Sequence, residues 1–364
     1  MSKIVTCEQV SRGHVDKICD QISDAIVSDC LQHDRDSRVA VECLIKNNTV
    51  VIAGEITSKH EPDCAKLVGQ VFERVGITDQ YDKVNVRTLI TRQSPDIAQG
   101  VDKGGAGDQG VMYGYATNET PELLPIPFAV ATRFLKLLRD VKAPMLRPDA
   151  KAQVSYDYET GKITTFLCSV QHTADSEAED FRSIIESLMV LTAAEYGLNS
   201  DFEKLINPTG KFVVGGSNAD TGVTGRKLAC DTYGGVGRIG GGALSGKDPS
   251  KVDRSAAYMA RKIAVDLVTG GYCDRCEVQI AYAIGKAEPV SVSVDTFGTA
   301  RCCPKCIDKY VETNYDLTPR GIIRFLHLLD VDYKDVAYGG HFGKNWLPWE
   351  IDEELAEDIY GSEE

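Results

Sequence analysis

Between Gly234 and Lys251 the chain reads GGVGRIGGGALSGKDPSK, in which two nucleotide-binding patterns overlap. Gly235, Gly237 and Gly240 spell GxGxxG, and Gly241 to Lys247 spell GxxxxGK. The dinucleotide fingerprint must follow a strand and open a helix at once, and here more glycine follows Gly240, so that reading fails. A P-loop needs Ser or Thr after its lysine to ligate magnesium; this chain has Asp248. Asp248 followed by Pro249 reads instead as a helix start, with Asp as N-cap and Pro in the first helical position. The glycines let backbone approach a ligand, and a helix N-terminus offers unpaired N–H groups to an anion. Arg226, Lys227, Arg238, Lys247, Lys251 and Arg254 make the neighbourhood basic within an acidic chain. A triphosphate-sized anion is the expected ligand, with a solvated basic face as the alternative.

A second group lies near the N-terminus, where GHVDK puts His14 and Asp16 at a helix start. Asp16, Asp20 and Asp24 then fall four apart on one stripe and repel unless a cation intervenes. Asp16 is the magnesium candidate, while Asp20 and Asp24 read as solvated or bonded to neighbouring chain. His14 alone would be a hydrogen-bonded surface residue; its company makes it a candidate for the site. If Asn47 and Asn48 form a two-residue turn, Glu42 lies opposite Ala53 and diagonal to Glu55 on one sheet face. Two carboxylates so placed suit a metal ion at one and a ligand ammonium at the other, unless they are simply exposed.

The elements that must hold these residues follow from periodicity. HVDKICDQISDAIVSDCL places Ile18, Ile22, Ala25, Ile26 and Cys30 on one face of an amphipathic helix. A hairpin about Asn47 and Asn48 follows, then a helix stopping at Gly76. Helix, hairpin and helix recur from PFAVATRFLKLLRD, with a turn at Gly161, and again from DPSKVDRSAAYMARKIAVDLVTGG. The hairpins begin near Arg38, Lys151 and Cys276, which predicts three α+β repeats around shared sheets. The expected boundaries are 1–99, 107–212 and 213–350, with an acidic tail at 351–364. The Gly-rich stretch RQSPDIAQGVDKGGAGDQG, between the first two repeats, suits a mobile lid.

The net charge of −14 argues against nucleic acid and anionic membrane as partners. MSKIVTCEQV has no signal-like apolar run, and no window approaches a membrane span, so a cytoplasmic protein is expected. Most of the 12 cysteines then read as reduced core residues. Cys273 and Cys276, with Cys303 and Cys306, form two CxxC pairs; their separation exceeds the usual zinc-ribbon gap of about 15–20 residues. They read as buried or surface thiols rather than zinc ligands.

The segments GHVDKICDQISDA, GAGDQG, RPDAK, TGRK, DTYGG and GGGALSGKDPSKVDRSAAY closely resemble methionine adenosyltransferase, the S-adenosylmethionine synthase family, nearly end to end. The resemblance implies three intertwined α+β domains with pseudo-threefold symmetry. It implies a homodimer or dimer of dimers with active sites at the subunit interface, using magnesium, expected as a pair per site, and potassium. The implied reaction is attack by the sulfur of L-methionine on the ribose methylene of ATP, with the released triphosphate cleaved to pyrophosphate and phosphate. Carried over by motif, His14, Lys151, Arg226 and Lys247 are catalytic. Lys227, Asp149, Lys211, Phe212, Asp220 and Ala243 also contact ATP, and Glu55, Gln93, Asp108, Asp220 and Lys251 surround methionine. Asp16 and Asp253 hold magnesium, and Glu42 potassium. The chain departs from the family pattern at Val15 for Pro, Arg12 for Glu and Leu244 for Phe, and between QGVD and GAGDQG it is several residues shorter. Arg12 is expected to alter phosphate contacts, and Val15 to free the turn that aims His14.

Overall fold

The computed structural model describes residues 3–80, 83–92 and 105–351. Gln93, most of the expected lid and most of the acidic tail lie outside the described residues. Each stretch of the chain builds a hairpin and lends one strand to another stretch's sheet. The hairpins are β2 (Arg38–Lys46) with β3 (Thr49–Thr57), β6 (Leu146–Asp157) with β7 (Lys162–His172), and β10 (Arg275–Tyr282) with β11 (Ser291–Asp295). Asn47 adopts a positive φ of 51°, the left-handed conformation that a tight two-residue turn requires.

The lent strands tie the repeats together. β1 (Ile4–Val10) pairs with β6, β5 (Gly110–Thr117) pairs with β10, and β9 (Gly222–Val223) pairs with β2, all antiparallel. Two parallel partners, β4 (Asn85–Thr91) on β3 and β8 (Glu203–Ile206) on β7, complete sheets ordered β1-β6-β7-β8, β11-β10-β5 and β4-β3-β2-β9. The architecture is α+β, three intertwined units in cyclic exchange.

Helices cover one face of each sheet. They are α1 (Val15–His33), α2 (Cys64–Val75), α3 (Ile126–Asp140), α4 (Ala178–Glu195), two single turns α5 (Gly216–Ala219) and α6 (Leu228–Asp231), then α7 (Val252–Thr269), α8 (Pro304–Asn314) and α9 (Pro319–Phe325). Gly76 closes α2 with φ 81° and donates its N–H to the Phe72 carbonyl at 3.0 Å. One core unites α1, α2 and α7 with the first and third hairpins; another lies between α3, α4 and the β6–β7 hairpin, where Phe134 meets Phe166 edge-on at 4.9 Å.

Of the two alternatives for the polar stripe of α1, solvated or bonded to neighbouring chain, the structure takes the second: Asp16, Lys17, Asp20, Gln21, Ser23, Asp24 and Ser28 are all buried. Loops at Val223, Gly225 and Gly246 cover that face and supply hydrogen-bond partners to its carboxylates. Asp248 is not an N-cap: α7 starts at Val252 with Lys251 in the capping position. The Asp248 carboxylate instead accepts from Val39 N–H at 2.7 Å, and its N–H bonds the Val39 carbonyl, so this stretch is held against β2 before the helix can begin.

Candidate active site

The carboxylates of α1, four residues apart, each hold one loop by a backbone N–H. Asp16 Oδ1 accepts from Val223 at 2.9 Å, Asp20 Oδ1 from Gly225 at 2.8 Å and Asp24 Oδ1 from Gly246 at 2.9 Å. Each also has its own cation, which removes the repulsion the spacing imposes. Asp16 is bound by Arg226 and Lys227, Asp20 by Lys17 at 3.0 Å, and Asp24 by the buried Arg254. Asp20 and Asp24 are therefore framework rather than solvated groups. Lys17 also pairs with buried Asp231; burial opposes its charge, but the two carboxylates raise its pKa and keep it protonated. Nothing in the sequence pattern marks Asp231, because its partner Lys17 lies 214 residues away.

At the head of this stripe, His14 caps α1: its Nδ1 accepts the Asp16 N–H at 3.2 Å. A ring nitrogen that accepts is unprotonated, so in the neutral imidazole the proton is on Nε2. Burial, then Lys227 and Lys151, push the pKa down to about 4, so the ring is neutral near pH 7. Val15, in the turn that aims His14, is buried and packs against Gly222. Asp16 Oδ1 receives Arg226 Nε at 3.0 Å and Asp16 Oδ2 receives Lys227 Nζ at 2.6 Å. Burial alone would raise the Asp16 pKa, but these bonds and the Val223 N–H lower it.

Asp149, where β6 enters, adds a buried carboxylate. Its Oδ2 accepts from Gly216 N–H at 2.8 Å while Oδ1 has no hydrogen-bond partner among the described residues. Burial raises its pKa to about 6. Lys151 and Asp220 face His14 and Asp149 electrostatically, and both are exposed. Phe212 N–H donates to His172 Nε2 at 3.0 Å, and Lys211 lies 3.7 Å from Glu177 on an exposed edge. Lys211 joins none of the His14 contacts.

A second charged group lies across Gly225 and Ala243. Gly225 has φ +75°, and a Cβ there would stand 2.4 Å from that of Ala243. Lys247 pairs with Asp253, and Lys251 Nζ donates to Asp248 Oδ2 at 2.7 Å. Burial alone would raise the Asp248 pKa; Lys251, Ser250 and the Val39 N–H hold it down. Gly242 is required beside Asp253, since a Cβ would sit 2.2 Å from its carboxyl carbon. Lys247 bridges Ala40 of β2, the strand that carries Glu42. Glu42 stands opposite Ala53, and Ala40 opposite Glu55, so both glutamates occupy one exposed sheet face, as the hairpin register predicts. Neither has an ion pair among the described residues. Asp108 bonds its following N–H at 2.8 Å, just before Gly110 approaches Asp253. Leu244 is buried, with Met112 and Asp253 lining the same small cleft.

Three expected cations are placed elsewhere. Arg254 is fully buried against Asp24 and belongs to no open basic face, while Arg238, itself exposed, pairs with Glu277. Arg12 lines a cavity of about 140 Å³ with Arg139 and Arg147, and its charged neighbours are Arg139, Arg74 and Asp140 rather than the His14 group. The two CxxC pairs do not assemble into a metal-binding group among the described residues.

What the arrangement offers is two carboxylate–cation clusters, one beside a neutral imidazole whose Nε2–H is free to donate. The carboxylates are hard oxygen donors that suit magnesium, and the cations suit phosphate oxygens. The S-adenosylmethionine synthetase family patterns match the chain in order: the N-terminal domain over residues 2–95, the central domain over 103–212 and the C-terminal domain over 214–351. S-adenosylmethionine synthase of Mesoplasma florum is 45% identical, with 96% of this chain and 97% of that one covered. That of Akkermansia muciniphila is 47% identical over 95% and 94%, and that of Thermosynechococcus vestitus 44% over 98% and 97%.

Proposed function

We infer the reaction from one premise, that this chain belongs to the S-adenosylmethionine synthetase family and is an enzyme of that family. Its substrates are ATP and L-methionine. The methionine sulfur attacks the ribose methylene carbon, the carbon–oxygen bond breaks, and triphosphate leaves as the sulfonium forms. Water then splits the triphosphate into pyrophosphate and phosphate.

The observation that carries this reading is the Asp16 carboxylate shared by Arg226 and Lys227 beside a neutral His14. Lys247 with Asp253 repeats the motif in the second cluster. With a triphosphate bound, Arg226, Lys227 and Lys247 would turn to its phosphate oxygens, and the Asp16 and Asp253 carboxylates would be the residues to hold magnesium. Magnesium would supply charge neutralisation of the leaving triphosphate. His14 donates Nε2–H to the departing ribose oxygen, where negative charge develops. A thioether needs no base, so the remaining task is alignment. Lys151 and Asp220 border this group, and Asp149 Oδ1 accepts a hydrogen bond from the nucleotide. Lys211 and Phe212 lie at its edge, Ala243 at the join between the clusters. In the second group Glu55 meets the methionine ammonium and Lys251 its carboxylate, with Asp108 alongside; Gln93, outside the described residues, is a further methionine contact by motif alone, and Glu42, an exposed oxygen donor, suits potassium.

Glu42 and Glu55 share their face with exposed Leu44 and Leu89. An apolar face of this kind supports a homodimer, or a dimer of dimers, that closes the site from a partner subunit. No described helix is long and apolar enough to cross a membrane, and a cytoplasmic location is part of the proposal. The purified protein, incubated with ATP, L-methionine, magnesium and potassium, is expected to yield the sulfonium with equal pyrophosphate and phosphate. Release of terminal phosphate alone, without sulfonium, would refute the reading.

A further inference from the structure

The far end of α1 carries a group of ligands that the reaction does not use. Asp29 and His33 lie four apart on the last turns of the helix, and His60 enters from the connection between β3 and α2. Thirteen residues separate Asp16 from Asp29, about 20 Å at a rise of about 1.5 Å per residue, so this group is remote from the phosphate site. His60 Nε2 is 2.7 Å from Asp29 Oδ2, and His33 Nδ1 is 3.8 Å from Asp29 Oδ1. One donor atom from each of the three residues lies within 4.8 Å of the other two. The two imidazole rings stack at 4.0 Å with 13° between their planes.

We propose that Asp29, His33 and His60 bind one divalent transition-metal ion, of which zinc is the type. Two imidazoles and one carboxylate form a borderline donor set that favours zinc, nickel or copper, whereas magnesium and potassium take oxygen ligands. Three protein ligands leave a fourth tetrahedral position to water. The His60 turn is already fixed, because its N–H bonds Ser58 Oγ at 3.0 Å and Ser37 Oγ bonds Ser58 Oγ at 2.8 Å. His33 has the freedom to reorient: its side chain is 53% exposed, and among the described residues its hydrogen bond is to the Asp29 carbonyl at 2.8 Å. Turning that ring out of the stack aims its nitrogen into the gap that the Asp29–His60 bond now closes. The ion then replaces that bond and staples the end of α1 to the β3–α2 connection, stabilising the fold by mass action.

The exposed thiols of Cys303 and Cys306, with half-buried Cys302 beside them, are competing zinc ligands, so the test uses the full chain with Cys302→Ser, Cys303→Ser and Cys306→Ser, in excess magnesium and potassium. Calorimetric titration with zinc chloride is expected to give about one equivalent and a raised Tm. Asp29→Asn or His60→Gln is expected to weaken binding about tenfold or more. In the histidine-labelled protein carrying only the thiol substitutions, zinc should shift the ring ¹⁵N signals of His33 and His60 and leave His14 in place. Undiminished affinity in both variants, displacement of zinc by magnesium, or unmoved His33 and His60 signals would each overturn the assignment.

Discussion

His14 has to be uncharged, correctly protonated and aimed at once, and a single contact does much of this. Accepting the Asp16 N–H at Nδ1 leaves the proton on Nε2, while burial with Lys227 and Lys151 keeps the ring neutral. Replacing it by Asn retains a polar side chain but loses the aimed donor; His14→Asn should lower sulfonium formation by about 10²- to 10³-fold, measured by stopped-time product analysis. The same burial has a stability consequence whose sign is fixed. The folded pKa of about 4 lies below the ordinary 6.5, so between those values the unfolded chain binds more protons. The contribution of His14 is complete above pH 6.5 and is lost as pH falls towards 4. Thermal unfolding across that window should therefore show a smaller acid-side loss in His14→Asn than in the parent. Asp149 offers a separate test, because its Oδ1 is buried with no partner among the described residues. Asp149→Asn substitutes a donor for one acceptor and should raise the KM for ATP more than it changes kcat, in steady-state assays at saturating methionine.

At the scale of the element, α1 works as a rail from which three carboxylates hold the loops at Val223, Gly225 and Gly246. Asp24→Asn would leave the fully buried Arg254 without its countercharge and should cost about 3–5 kcal/mol in chemical unfolding. Gly225→Ala combines a left-handed φ with a clash on Ala243, and should cost about 1–3 kcal/mol while separating the two cation clusters. Much of the element pattern was legible: the α1 stripe, the Asn47 turn and the register that puts Glu42 opposite Ala53 all follow from local periodicity. The lent strands β1, β5 and β9 were not read, because each is short and is defined by a partner far away in the chain rather than by its own pattern. Asp248 misled for a related reason. Its local signal is that of a cap, but its carboxylate takes the Ser250 N–H before the helix begins and, on the other oxygen, the N–H of Val39, 209 residues distant. Arg254 read as part of a basic face, since charge in a sequence carries no record of the carboxylate that will bury with it.

The sheet face that carries Glu42 and Glu55 also exposes Leu44 and Leu89, 41% and 67% exposed. If a second copy covers that face, Leu44→Asp with Leu89→Asp should yield a folded monomer by sedimentation, with catalysis falling in step with dimer content. The cyclic exchange of strands makes unfolding of one unit expose an edge in another, which favours a single cooperative transition. The central claim is narrower: the paired cations hold the triphosphate throughout, while His14 acts only when the ribose carbon–oxygen bond breaks. The direct measurement is single-turnover kinetics of His14→Asn with ATP and methionine, set beside its hydrolysis of added tripolyphosphate. Loss of sulfonium formation with tripolyphosphate cleavage largely retained is the predicted result; equal loss of both, or neither, would contradict the account.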